Sequence, residues 1–208
     1  MFVTTGDVLT YTRKISSVTL DLTKGTEDSD QQSPYDLFVL TIEGQGFLWH
    51  QIRCIVAILL LIGEGKEDSS VIQELLDISK NPCKPVYAMA HELPLCLFDA
   101  QFDGLEWQFD ELALKTVILE LQEAWARHAI KAEMIRSMLG HLEPQLPKSV
   151  KGQASWLQTG VLPRNYTPLL QRQKCESLET RIACVNERKK QKLRENECLQ
   201  TTPCENSM

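Results

Sequence analysis

This sequence has the patterning of an α/β or α+β domain, and the expectation is α+β, with a mixed or antiparallel sheet, helices on one face and a C-terminal helical extension. Three observations carry that expectation. The first hundred residues contain short stretches with strand patterning. Apolar residues then recur at helical spacing from Asp110 onward. Glycine and proline fall between these stretches, where turns are needed.

Val18, Leu20 and Leu22 alternate with Thr19, Asp21 and Thr23, as in a half-buried strand. Lys24–Pro34 reads as a polar loop. Leu37–Glu43 is apolar at nearly every position, which predicts a strand covered on both faces. An apolar helix follows, with Gly63 and Gly65 as its stop. Ser69 or Ser70 is placed to cap a second helix, Ser70-Val-Ile-Gln73 having the form of a capping box. Asn81-Pro82-Cys83-Lys84-Pro85 turns the chain. Leu95–Phe102 alternates again, with Cys96, Phe98, Ala100 and Phe102 on one face. Leu114, Val117, Ile118, Leu121 and Trp125, continuing to Met134 and Met138, define an amphipathic helix of about 30 residues. Its apolar stripe is expected to be core. The predicted organisation is therefore an α/β region over 1–110, a packing helix over 111–142, an extended linker and basic helical segment over 143–194, and a disordered tail over 195–208.

Composition narrows the function classes. The chain has 208 residues, 43% of them hydrophobic, enough for one good core. Its longest apolar run, Cys54–Ile62, is nine residues, about half of what a membrane span requires. The start of the chain has no basic and apolar signal pattern, so the seven cysteines are expected as free thiols. No Cys-x-x-Cys pair or tight Cys/His cluster suggests a zinc site. The net charge of −6 is uneven. Residues 164–194 hold nine Lys/Arg against three Glu, a net of +6, which leaves −12 for the remainder. Such a segment suits polyanion contact or a nuclear address, and equally a solvated charged helix.

One residue stands out. Arg53 lies in the first turn of the apolar helix, where a cation opposes the macrodipole by about 0.3–1 kcal/mol. Burying it unpaired is far less favourable, so an anion is expected beside it. His50 and Gln51 flank it at the turn-to-helix junction, where they can face an anion or make structural hydrogen bonds. Cys54 adjoins Arg53 but is expected as an inert core thiol. Dinucleotide, phosphate-loop, serine-hydrolase and zinc-protease signatures are all missing from the sequence.

The segment Gly44-Gln-Gly-Phe-Leu-Trp-His-Gln-Ile-Arg-Cys54, with its apolar helix ending Leu-Ile-Gly-Glu-Gly65, resembles the second-half signature of the TruA-type tRNA pseudouridine synthases. Lys80-Asn-Pro-Cys-Lys-Pro-Val-Tyr-Ala-Met-Ala90 and Glu92-Leu-Pro-Leu-Cys-Leu-Phe-Asp-Ala-Gln-Phe102 resemble the family's continuation. Asn165-Tyr-Thr-Pro-Leu-Leu170 and Lys174-Cys-Glu-Ser-Leu-Glu-Thr-Arg-Ile182 are similar to its eukaryotic members acting on the anticodon stem-loop. The resemblance implies half of a pseudouridine synthase fold, with no cofactor and no metal. In that chemistry an aspartate attacks the uridine, the glycosidic bond breaks, and the base is rejoined through carbon. It further implies that Arg53 pairs with the aspartate and that Phe47, His50 and Gln51 lie near the RNA. The implied partners are tRNA and the complementary N-terminal half, with a homodimer left open, no membrane, and a nuclear or cytoplasmic location. The family's Gly-Arg-Thr-Asp motif does not occur, since none of the aspartates follows Arg-Thr. The expectation is a C-terminal half, inactive alone, whose Arg53 lacks its intended partner. Two alternatives stay open. One is a non-catalytic RNA-binding module using the basic segment. The other is an unrelated domain in which Arg53 pairs with Glu43, Glu64 or Glu92.

Overall fold

The computed structural model describes residues 11–23, 35–148, 152, 155–158 and 165–200. Its elements are β1 (Ile15–Leu22), β2 (Phe38–Gly44), α1 (Gln51–Gly63), α2 (Val71–Leu76), α3 (Glu111–Leu142) and α4 (Leu178–Gln200), with single 3-10 turns at Glu143–Gln145, Ser155–Leu157 and Leu169–Gln171. The α+β class is therefore correct. The chain forms two compact units, Met1–Pro94 with Ser155–Met208, and Leu95–Ala154. The expected boundary at 110 is not where the units divide.

In the first unit, β1 and β2 form an antiparallel two-stranded sheet. The register sets Val18 opposite Ile42, Leu20 opposite Leu40 and Leu22 opposite Phe38, so apolar residues meet across one face. The connecting loop over 24–34 lies outside the described residues. Neither strand is covered as the sequence suggested: Val18, Leu20, Leu22, Phe38 and Val39 are all exposed. Alternation and continuous apolar runs report what a strand would pack against, and in this sheet Leu40 and Ile42 reach only partial burial.

Helix α1 starts and stops for local reasons. Gly65 adopts φ +69°, its N–H bonds the Ile62 carbonyl at 2.9 Å, and the Lys66 N–H bonds the Leu61 carbonyl at 2.9 Å. This is a Schellman closure, which requires the left-handed residue that glycine supplies. Helix α2 lacks the anticipated capping box, because the Ser70 side chain makes no cap bond. Instead Asp68 Oδ1 accepts the Ser70 N–H at 2.9 Å.

The core joins Leu61 of α1, Val71 of α2 and Leu169, flanked by Ile58, Ile62, Ile72, Leu75, Tyr87, Tyr166 and Leu170. Leu169 has no exposed surface at all. Here the expectation that 143–194 is an extended linker running into a basic helix is corrected in its linker part. Residues 165–177 form a strap that enters the core. The Glu67 carboxylate accepts the Tyr166 hydroxyl and, at 2.7 Å, the Leu169 N–H. The strap then bridges Pro85 to Lys174 antiparallel, with Val86 N–H to the Gln173 carbonyl at 2.9 Å and Cys175 N–H to the Lys84 carbonyl at 2.8 Å. Helix α4 begins only after this pairing ends. Its backbone continues to Gln200, six residues into the expected tail, while residues 201–208 lie outside the described residues.

The second unit departs most from expectation. Leu95–Phe102 forms no strand, and Phe98 is 94% exposed. Alternation without a neighbouring edge does not make a strand. Helix α3 runs for 32 residues from an Asp110 cap whose side chain accepts the Ala113 N–H. No residue of α3 is buried, so its apolar stripe is not core within this unit.

Candidate active site around Arg53

The site is built at the start of α1. Gly44, which ends β2, has no room for a side chain: a Cβ there would lie 2.8 Å from the Lys14 carbonyl oxygen and 3.2 Å from the Phe47 ring. This close approach seats Phe47 over the strand end, partly exposed. His50 precedes the helix with φ 63°, a left-handed conformation that strains a non-glycine residue. Its side chain makes no capping bond, and its ring stacks on Trp49 with 3.3 Å between centroids. Gln51 is used structurally, its Oε1 accepting the Leu48 N–H at 2.8 Å.

Arg53 is the third residue of α1, in a first turn that contains no acidic residue. Its Nε donates to the Ala90 carbonyl at 2.7 Å, and the Ala90 N–H returns a bond to the Arg53 carbonyl at 3.2 Å. Nη2 meets Glu92 Oε2 at 2.9 Å. Arg53 is therefore not without an anion: an acid of this chain stands where the expected aspartate would pair. Of the acids named as internal candidates, Glu92 holds it, while Glu64 bonds Lys66 and Gln158. The pairing is asymmetric. The Arg53 side chain is 14% exposed and that of Glu92 63%.

The loop that presents Glu92 is clamped from its other side. Ala90 is buried and bridges Gln158, and the His91 N–H bonds the Leu157 carbonyl at 2.7 Å. His91 packs edge-on against Trp156. The charges interact as this geometry requires. Burial and the neighbouring guanidinium hold His50 below its ordinary value, partly opposed by Glu92. Glu92 is itself held below the usual carboxylate range, by its own backbone N–H and then by Arg53. Cys54 is buried in the same turn beside Tyr87, whose hydroxyl is pushed above its usual phenol range by burial and by the neighbouring thiols. Among the described residues, no cluster of three His, Cys, Asp or Glu could hold a metal, and no helix is long and apolar enough to cross a membrane.

Sequence reasoning brought Arg53, His50 and Gln51 to one junction, and the structure agrees on their proximity. It missed the Ala90 carbonyl, a backbone acceptor 37 residues away that carries no side-chain signal. Gln51 is drawn into loop closure, leaving His50 and Arg53 as the polar pair facing Glu92.

A family model described as tRNA pseudouridine synthase matches residues 5–103, which contain Phe47, His50, Arg53, Ala90 and Glu92. Residues 5–103 belong to the tRNA pseudouridine synthase family. Family relatives extend the match beyond that segment. The human tRNA pseudouridine(38/39) synthase is 39% identical over 194 residues, covering 84% of this chain and 40% of the relative. The bovine protein of the same name is 41% identical over 169 residues, 73% of this chain and 35% of the relative. A probable tRNA pseudouridine synthase of Caenorhabditis elegans is 37% identical over 186 residues, 86% of this chain and 46% of the relative. The chain thus spans less than half the length of these family members. Membership removes the reading of an unrelated domain, even though Arg53 does hold an internal acid.

Proposed function

We propose that this chain supplies the arginine side of a tRNA pseudouridine synthase active site, acting on uridine in the anticodon stem-loop. The carrying observation is the two-sided hold on Arg53. Its inner Nε is fixed by the buried Ala90 peptide, while its outer Nη2 meets a carboxylate open to solvent. Glu92 stands largely in solvent, where an ion pair is screened and weak, so it is readily displaced. A second carboxylate can then take the same guanidinium edge, fixed in place and pre-charged. That is what a nucleophilic aspartate requires, since a guanidinium keeps it ionised and oriented.

In this reading the aspartate comes from residues outside this sequence, on a complementary half of the catalytic domain. Phe47 and Trp49 supply aromatic surface near the extruded base, and His50, held towards its neutral form, can accept or donate a hydrogen bond. The fold is then half of a pseudouridine synthase domain, residues 1–110, with 111–194 as its extension. The partners are tRNA, the complementary half and, as a further assignment, a second copy. The place of action is the nucleus or cytoplasm, which the basic segment suits.

The test is isomerisation of unmodified tRNA by this chain, alone and mixed with a polypeptide carrying a Gly-Arg-Thr-Asp segment. The mixture should form pseudouridine and the chain alone should not. Arg53→Ala should abolish product in the mixture, by at least about 100-fold, the scale on which one electrostatic group acts in a transition state. Full activity of that variant, or of the chain alone, would overturn the assignment.

A further inference from the structure

The Arg53 site leaves one strongly charged feature unused. Five of the seven residues Arg188–Arg194 are basic: Arg188, Lys189, Lys190, Lys192 and Arg194. All five are exposed, on a continuous helix. Among the described residues no ion pair reaches Arg188, Lys190, Lys192 or Arg194. At 1.5 Å per residue they crowd into about 9 Å of axis. Arg188 and Lys192 share one side of α4, and Lys190 and Arg194 share another roughly opposite it. Charge on two sides suits a ligand that offers rows of anions on both, such as the two backbones flanking an RNA groove.

This helix is not a loose tail. Its start is set by the strap described above. Lys174 Nζ bonds Asn81 Oδ1 at 2.6 Å, Arg172 lies over the Tyr166 ring, and the Thr180 N–H bonds Ser177 Oγ at 3.2 Å as the first turn begins. The segment that pairs with the strap runs from Lys84 to Val86, and four residues separate Pro85 from Ala90, the acceptor of Arg53. Pro85, the residue that Lys174 bridges just before α4, therefore lies within about 18 Å of that acceptor by chain length alone. The arrangement fixes a polybasic helix to the scaffold of the candidate active site, through residues that lie beyond the 5–103 family match.

We propose that the basic half of α4 is a second RNA contact, holding the phosphate backbone of tRNA without reading its sequence. This rests on the tRNA substrate class adopted above and not on the isomerisation chemistry. Its signature is electrostatic, because each phosphate contact releases counterions and steepens the salt dependence of binding.

The experiment measures binding of the 208-residue chain to a fluorescent unmodified tRNA transcript across a salt series. A variant with Arg188→Gln, Lys190→Gln, Lys192→Gln and Arg194→Gln keeps residues of comparable helix propensity. It should bind at least about tenfold more weakly near 100 mM salt, and the slope of log affinity against log salt should flatten by about 3. A charge-keeping variant, with Arg188→Lys, Lys190→Arg, Lys192→Arg and Arg194→Lys, should bind within about twofold of the parent, as contacts made through charge allow. A glutamine variant with the parental slope overturns the proposal, as does a parent chain with no salt-dependent binding; either result would leave α4 to an acidic protein partner. Arg53→Ala separates the two assignments. It should keep the parental slope while product formation in the mixture is lost. A flattened slope in the glutamine variant, with no isomerisation by any mixture, would sink the catalytic reading and keep the RNA contact.

Discussion

Helices α1 and α3 both carry apolar residues at helical spacing and meet opposite fates. In α1, Cys54, Ala57 and Leu61 are buried within 13 residues; in α3, none of 32 is. The difference is partners. Helix α1 is met by α2, by the Lys84–Ala90 segment and by a strap arriving from about a hundred residues downstream. Helix α3, in its own unit, has a shallow depression lined by Ile130, Glu133, Met134, Ser137 and Met138 and no side chain filling it. Its order rests on local devices: the Asp110 cap and the ion pairs Glu123–Arg127 and Glu133–Arg136. Such pairs contribute about 0.3–0.5 kcal/mol each, so length and propensity do most of the work. An amphipathic pattern therefore says that a face can be buried, and only tertiary contact decides whether it is.

Three substitutions sharpen or break that contrast. Leu169→Ala should have the largest effect, about 2–5 kcal/mol, because a side chain with no exposed surface leaves a cavity between α1 and α2. Chemical denaturation followed by the signal of the first unit reads it; a loss under 1 kcal/mol would mean that the strap is not part of the core. Glu67→Ala comes next, at about 1–3 kcal/mol, since it leaves the Leu169 N–H and the Tyr166 hydroxyl without their acceptor. A double-mutant cycle with Tyr166→Phe should show coupling between the two sites. Trp125→Ala on α3 should be the smallest, within about 0.5 kcal/mol, because that ring is 73% exposed. A loss of several kcal/mol there would show that the α3 face is covered in solution and would end the contrast.

The same contrast explains what was legible in the sequence. The apolar run and its glycines placed α1 to within a residue or two, and the period from Asp110 placed α3, because helix signals are local. Arg53 could be singled out from its position in a helix dipole, and Glu92 named as one of three acids that might hold it. What could not be read were contacts of high sequence separation. Leu169 sits in a stretch rich in proline and polar residues, with no periodicity to mark it as the most buried leucine. The Ala90 carbonyl belongs to the backbone and leaves no trace in residue identity. Leu95–Phe102 failed as a strand for the converse reason, since its pattern was present and its partner was not. The capping box at Ser70 gave way to Asp68, a choice between two nearby acceptors decided by a turn that spacing alone does not distinguish.

The strap has a consequence for how this gene tolerates damage. A premature stop codon anywhere between residues 104 and 165 would spare every residue of the family match, with Arg53, Ala90 and Glu92 among them. It would still strip away Leu169, the acceptor bonds of Glu67 and the partner edge of Lys84–Val86, opening Leu61 and Val71 to water. The product would keep its chemistry-bearing residues and lose the packing that holds them in place. Late truncations here belong among the severe alleles.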